Sequence, residues 1–128
     1  MTQEQLLEYN KMCAKFLGVD NTLSCYYLPK FGLYKNSYGE IYYEEVFNED
    51  ELKFHSDWNW IMEVVEVIEK LGYYTKNECI RNVNYFNIYE LKNNEETFYG
   101  SGNNSKKEAV VQAIYQFLKW HNNETKTN

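Results

Sequence analysis

Proline, cysteine and positive charge are scarce in this sequence of 128 residues. A single proline and six glycines leave no stretch that reads as a linker, so the chain is predicted to be one domain. The three cysteines, Cys13, Cys25 and Cys79, contain no Cys-x-x-Cys pair and are odd in number. They argue against a disulfide framework and favour free thiols in the core of a protein from a reducing cytosol.

The sequence has 13 lysines and arginines against 19 aspartates and glutamates, which gives a formal net charge of -6. This balance argues against general attraction to phosphate backbones, because nonspecific nucleic-acid binding needs a surplus of basic residues. A partner with a basic surface is favoured instead. Apolar runs of membrane-spanning length are absent, and the N-terminal MTQEQLLEYNK has no basic region followed by an apolar run. We therefore expect a cytoplasmic protein without a membrane partner.

Three segments show the spacing of apolar residues that is typical of helices. The first follows TQEQ, a capping box, and ends at Gly18. The second and longest is 52–72, where Ser56 is the expected N-cap and the apolar face is wide enough for a central core helix. The third follows SKKE, again a capping box.

The segments between these helices predict strands, with 73–82 irregular and Gly100, Ser101 and Gly102 releasing the chain after the last strand. The resulting order, α-β-β-α-β-β-α, predicts a single-domain α+β sandwich in which three helices pack on a mainly antiparallel sheet. The domain should cover 1–122, and 123–128 should be a disordered tail. The predicted strands are one or two within 20–39, one at 40–47, one at 83–91 and a short one at 97–99.

Two segments carry a resemblance to a known group of proteins. LKFHSDWNWIMEVVEVIEKLG and SKKEAVVQAIYQFLKWHN resemble small hypothetical proteins from phages and prophages of Bacteroidetes-type bacteria, which are similar to the phage ABA sandwich domain. In that group a helix with the pattern His-Ser-x-Trp-x-Trp precedes a C-terminal helix that begins Ser-Lys-x-Glu-Ala. The resemblance implies that a phage or prophage encodes the protein, but it supplies no catalytic residues.

For each candidate catalytic or metal-binding residue, a structural role is favoured over a chemical one. His55, Ser56 and Asp57 are the residue types of a hydrolase triad, yet neighbours at a helix N-terminus cannot form its serial contacts, so helix capping is favoured. His121, the only other histidine, lies near the end of the third helix, and the scattered thiols make no zinc pattern. We expect no enzyme activity, no metal and no cofactor.

An acidic stretch is the sharpest electrostatic feature, because it has six carboxylates within twelve residues and no lysine or arginine. It predicts docking on a basic groove, with nearby tyrosines as rigid anchors, although a plain solvated hairpin is the favoured alternative. The predicted partner-binding residues are Tyr38, Glu40, Tyr42, Tyr43, Glu44, Glu45, Glu49, Asp50 and Glu51.

A second candidate is a ligand site in which Trp60 and Trp120 stack on a nucleotide, with Lys106 and Lys107 beside a helix N-terminus. The preceding GSGNNSKK lacks the Walker spacing and the dinucleotide fingerprint, so a flexible turn is favoured there over a phosphate loop.

The favoured expectation for function is a non-catalytic phage accessory protein that binds and inhibits a host protein. Its target would be a component of bacterial immunity such as a CRISPR effector, so the chain would act as an anti-CRISPR. The alternatives are a protein that binds a nucleotide signal and a structural phage interaction module. The many tyrosines, 13 in all, also make a homodimer reasonable.

Overall fold

The computed structural model describes 1–19, 25–27, 33–35, 37–39, 41–43, 46–90, 95–102 and 105–126. It confirms the α+β class, since three α-helices occur together with antiparallel strands. The contacts divide the chain into two compact units, an N-terminal unit, Met1–Phe54, and a C-terminal unit, His55–Asn128. The packing of all three helices on one sheet as a single-domain sandwich stays a prediction.

The N-terminal unit begins with helix α1, Gln3–Phe16, and its predicted capping box is confirmed. The backbone N–H of Gln5 donates to the Thr2 hydroxyl, and the Gln5 side chain accepts from the Thr2 backbone N–H. In the ranges that the structure describes, four strands of three residues each follow, rather than the two or three predicted, and they form two separate antiparallel pairs. These strands are β1, Cys25–Tyr27, paired with β4, Val46–Asn48, and β2, Leu33–Lys35, paired with β3, Ile41–Tyr43.

The C-terminal unit packs two helices against a three-stranded antiparallel sheet with the order β5-β6-β7. Its elements are α2, Trp58–Lys70; β5, Tyr73–Ile80; β6, Val83–Glu90; β7, Glu95–Gly102; and α3, Lys106–Lys126. Among the described residues, no helix is long and apolar enough to cross a membrane.

The two faces of this sheet have different surroundings. On one face, Phe86 and Ile88 of β6 are buried, Tyr73 makes an edge-to-face contact with Phe117 of α3, and Thr75 donates to Glu69 of α2. Side chains alternate between the faces of a strand, so the intervening residues belong to the opposite face. We call this opposite face, which lies away from α2 and α3, the open face. Its residues are Tyr74, Lys76, Glu78 and Ile80 on β5 and Val83, Tyr85, Asn87 and Tyr89 on β6.

The prediction that 73–82 is irregular is wrong, because β5 occupies most of it and pairs with β6 along its whole length. The two strands are joined at Arg81 and Asn82, whose φ angles of 51° and 67° make a tight hairpin turn. Asn at such a position is a turn signal, but Arg is not, which is why the hairpin was missed.

The predicted helix ends also need correction. Asp57, rather than Ser56, is the N-cap of α2, because its carboxylate accepts from the backbone N–H of Asn59 at 2.9 Å. The predicted cap of α3 is confirmed, since the Glu108 N–H donates to the Ser105 hydroxyl. Helix α3 continues past Asn122 to Lys126, so it is longer than expected and occupies part of the segment predicted to be a disordered tail.

Gly100 and Gly102 do not release the chain, as the sequence suggested, but form the end of β7 beneath α3. A Cβ atom on Gly100 would lie 1.9 Å from the Ala109 carbonyl oxygen, and one on Gly102 would lie 2.7 Å from the Ser105 carbonyl oxygen. The obstructing atoms belong to the helix backbone, which cannot rotate away as a side chain could. These glycines therefore permit the close approach of strand and helix.

Substitution of Gly100 by Ala is expected to lower the free energy of unfolding by about 3 kcal/mol or more, because α3 must move away from β7. Gly72→Ala is the control, because this glycine has a φ of 104° and open space around it. Its variant should lose only about 1–2 kcal/mol of unfolding free energy, through backbone strain alone. Urea unfolding followed by circular dichroism measures both. Equal losses would contradict the proposed steric role.

Candidate functional site

Only part of the predicted partner-binding set lies within the described structure. Tyr38 lies in the turn between β2 and β3, and its side chain is 87% exposed. Glu40, Glu44 and Glu45 lie outside the described residues. The backbone of Tyr42 and Tyr43 belongs to β3, but their side chains lie outside the described part of the chain.

The three remaining carboxylates form one short turn of 3-10 helix, Glu49–Glu51, which we call the acidic turn. Glu51 accepts from the backbone N–H of Asn48 at 2.8 Å, and Glu49 forms an ion pair with Lys11 of α1 at 2.9 Å. The hydrogen bond and charge of Glu49 raise the pKa of Lys11. Two of the predicted binding residues, Glu49 and Glu51, therefore fix the turn, and Asp50 between them is exposed, as is Glu51.

The chain segment after the acidic turn is held by two side chains of α1. The Tyr9 hydroxyl donates to the Phe54 carbonyl oxygen at 2.9 Å, and the Phe54 N–H donates to Asn10 Oδ1 at 2.8 Å. Asn10 Nδ2 in turn donates to the Leu6 carbonyl oxygen at 3.0 Å. Both backbone groups of Phe54 are thus satisfied in a buried place, which fixes the end of this segment against α1. We call this arrangement the Phe54 clamp.

The cysteines differ in accessibility. Cys13, beside Tyr9 in the core, is fully buried, and burial raises its pKa, so the thiolate needed for nucleophilic chemistry is disfavoured. Cys79 lies exposed on β5, so the expectation of a core thiol is confirmed for Cys13 and wrong for Cys79. The side chain of Cys25 lies outside the described residues.

The residues of the predicted ligand site are not brought together. Trp60 is buried, with 3% of its surface exposed, because it lies on the face of α2 that faces the core, whereas Trp58 is 37% exposed. This is the reverse of the burial expected from the sequence, which favours Trp58 in the core and Trp60 as partly exposed. Lys107 lies over the Trp58 ring at 5.7 Å from its centroid, but Trp120 is thirteen residues farther along α3, roughly 20 Å away along the helix axis. One nucleotide cannot contact both ends.

The residue types of a triad serve other purposes here. Asp57 caps α2, as described above, and burial lowers the pKa of His55. His121 stacks on Phe117 with ring centroids 5.7 Å apart. Within the described part of the chain, no group of three or more His, Cys, Asp or Glu side chains could hold a metal ion.

The open face of the sheet is a surface that the sequence interpretation missed. Tyr74 and Tyr89 stack there with ring centroids 4.8 Å apart, and Asn87, which is buried, donates to the Tyr89 hydroxyl. Lys76 and Glu78 form an ion pair at 2.7 Å. YTKNECI shows no period-two alternation of apolar and polar residues, and Lys, Asn and Glu are unfavourable in strands, so the sequence carries no clear signal for this strand.

Comparison with protein families, curated proteins and solved structures finds no match to this chain. The resemblance to phage proteins therefore stays a prediction.

Removal of the Asn10 side chain is expected to cost about 1–3 kcal/mol of unfolding free energy, because Asn10→Ala leaves the buried Phe54 N–H without its acceptor. Lys11→Ala, at the next position of α1, removes only a surface ion pair and should cost at most about 1 kcal/mol. Chemical denaturation of both variants tests the Phe54 clamp, and a loss for Asn10→Ala no greater than that for Lys11→Ala would contradict it.

The stability of the protein should decline at alkaline pH. Burial raises the pKa of the Tyr9 phenol well above 10.0 and that of the Cys13 thiol above 9.0. The folded chain keeps these protons where the unfolded chain loses them, so the stability is fully present below about pH 9 and decreases as the pH rises.

Urea midpoints measured from roughly pH 8 to 11 would show this decline. Cys13→Ala should flatten it, because the variant no longer carries the buried thiol. Cys79→Ser, which changes an exposed thiol, should keep the decline of the wild type. A decline that is unchanged in Cys13→Ala would refute the assignment to this group.

Proposed function

We propose that the chain is a non-catalytic protein that binds a host protein with a basic surface through its N-terminal unit. The observation that carries this proposal is the 87% exposure of Tyr38, a large aromatic side chain at a hairpin turn. Tyrosine gives a large contact area at a low cost in conformational entropy, and it is enriched in protein interfaces. Tyr38 is therefore the proposed anchor of the interface.

Charge supports a basic partner. The formal net charge is -6, and Asp50 stands exposed on a turn whose neighbouring carboxylates, Glu49 and Glu51, keep its backbone in place. Carboxylates on such a surface attract a basic partner and raise the association rate more than the affinity. We assign anchoring to Tyr38 and steering to the acidic residues.

The resemblance to phage proteins suggests the kind of partner. A basic groove that normally holds nucleic acid is complementary to an acidic protein, and a CRISPR effector has such a groove. Occupation of the groove by this chain would exclude the nucleic acid and inhibit the effector, in the manner of an anti-CRISPR. The nucleotide-binding alternative is not favoured, because its proposed residues lie at opposite ends of α3 or in the core.

Affinity capture from a lysate of bacteria with active CRISPR systems tests this function, with nuclease treatment to remove partners held by nucleic acid. The wild type is expected to retain a host protein at constant stoichiometry. Tyr38→Ala combined with Asp50→Lys should reduce its recovery by roughly tenfold or more, because the anchor is lost and the charge reversed.

Glu66→Gln is the matched control, since it neutralises an exposed carboxylate of α2 in the other unit. Its recovery of the partner should equal that of the wild type. Equal recovery by the Tyr38 and Asp50 variant would contradict the proposed surface. Nucleic acid should also compete with this chain for the captured host protein, and simultaneous binding of both to that protein would contradict inhibition.

A further inference from the structure

Strand β5 is an edge of the three-stranded sheet, because among the described strands it pairs only with β6. It is eight residues long, and four of its residues, Lys76, Asn77, Cys79 and Ile80, are exposed. An edge strand presents backbone N–H and C=O groups that a further strand can pair with. Proteins usually shorten, bulge or cover such edges, and here the register of β5 with β6 is continuous from Tyr73 to Ile80.

The side chains of β5 on the open face have a self-complementary order. Reading along the strand, an aromatic residue, a cation, an anion and an aliphatic residue follow one another: Tyr74, Lys76, Glu78 and Ile80. The centre of this order is Asn77. Two copies of the strand running in opposite directions around Asn77 would place Lys76 opposite Glu78 of the second copy. Tyr74 would lie opposite Ile80 of the second copy.

The neighbouring registers that keep the same face are unfavourable. A shift that centres the pairing on Lys76 puts two lysines directly opposite each other, and a shift that centres it on Glu78 puts two glutamates opposite each other. Like charges at such positions destabilise a strand pair, whereas opposite charges and aromatic-aliphatic pairs stabilise it. Of these three registers, only the one centred on Asn77 has no like-charge pair.

We propose that β5 is a homodimer interface: two copies of the chain pair their β5 strands antiparallel about a two-fold axis at Asn77 and form a continuous six-stranded sheet. The intramolecular ion pair of Lys76 and Glu78, with a nitrogen to oxygen distance of 2.7 Å, does not oppose this arrangement. The Lys76 side chain is 58% exposed and that of Glu78 33%, and a partly solvated ion pair contributes little, so each residue can exchange its partner in the same chain for the equivalent residue of the second copy at a small cost.

The proposed dimer interface lies in the C-terminal unit, whereas the surface proposed to bind the host protein lies in the N-terminal unit, so each proposal can fail without the other. The dimer interface consists mainly of backbone groups of β5 and needs no deep pocket. Affinity comes from the hydrogen bonds of the added strand pair, and the choice of partner comes from the charges, as in other cases where a strand is added to an exposed sheet edge. The occupant is a second copy because the strand complements itself.

Sedimentation velocity over a range of concentrations tests the dimer with a charge-exchange series. The wild type is expected to form dimers, and Lys76→Glu should weaken them by about tenfold or more, because it places like charges opposite each other on both sides of the axis. Glu78→Lys should weaken them similarly. The double variant Lys76→Glu with Glu78→Lys restores opposite charges across the axis and should recover dimerisation.

Disulfide trapping tests the register separately. Opposite residues of antiparallel strands have Cα atoms about 4.5 or 5.5 Å apart, which a disulfide can bridge. In a Cys79→Ser background, Asn77→Cys should therefore give a reducible covalent dimer under mild oxidation. Gln116→Cys, at an exposed position of α3, is the control and should remain uncrosslinked.

Each outcome bears on the proposal. A wild type that stays monomeric at high concentration, a double variant as weak as the single ones, or crosslinking of Gln116→Cys as efficient as that of Asn77→Cys would each overturn it. Circular dichroism spectra of the variants that match the wild type show that a loss of dimer is not a loss of fold. A dimer that persists in every charge variant would place the interface elsewhere.

Discussion

The N-terminal unit depends on the Phe54 clamp, in which Tyr9 and Asn10 of α1 bind both backbone groups of one residue far along the sequence. The strands of this unit are only three residues long, so their ladders supply few hydrogen bonds. The two buried hydrogen bonds between side chains and the Phe54 backbone are therefore important for the stability of this unit. The ion pair of Lys11 with Glu49 extends the same contact to the surface and keeps the acidic turn beside α1.

The C-terminal unit is held by a different constraint, which is the close approach of α3 to β7. Gly100 and Gly102 leave room for the helix backbone, and Ala109 and Ala113 present small side chains in return. Because both helices pack on the same face of the sheet, the opposite face and the β5 edge carry the polar and aromatic residues that packing does not use. The surface available for recognition follows from how the core is built.

The sequence predicted what local signals encode and missed what depends on distant contacts. Capping motifs located α1 and α3, and apolar spacing located α2, because these patterns act within a few residues. The sequence does not indicate strand β5, because the stability of this strand comes from pairing with β6. The GSG segment resembles a loop in sequence, because no short motif marks the close approach of its glycines to α3. Similarly, the prediction that Trp60 contacts a ligand fails because the sequence does not show which side of a wide apolar face is buried.

The candidate binding surface was predicted in part for the same reason. Net charge and a run of carboxylates can be read directly, but the roles of individual carboxylates cannot: Glu49 and Glu51 maintain the turn, while Asp50 and Glu51 are exposed. If both proposals hold, dimerisation through β5 presents two copies of the surface around Tyr38 to a partner. A target with two accessible sites would then be bound more tightly than by one copy, since the second contact forms at a high effective concentration, provided that the spacing of the sites matches. An acidic binder of modest local affinity would in that way compete with nucleic acid, whose own binding is multivalent.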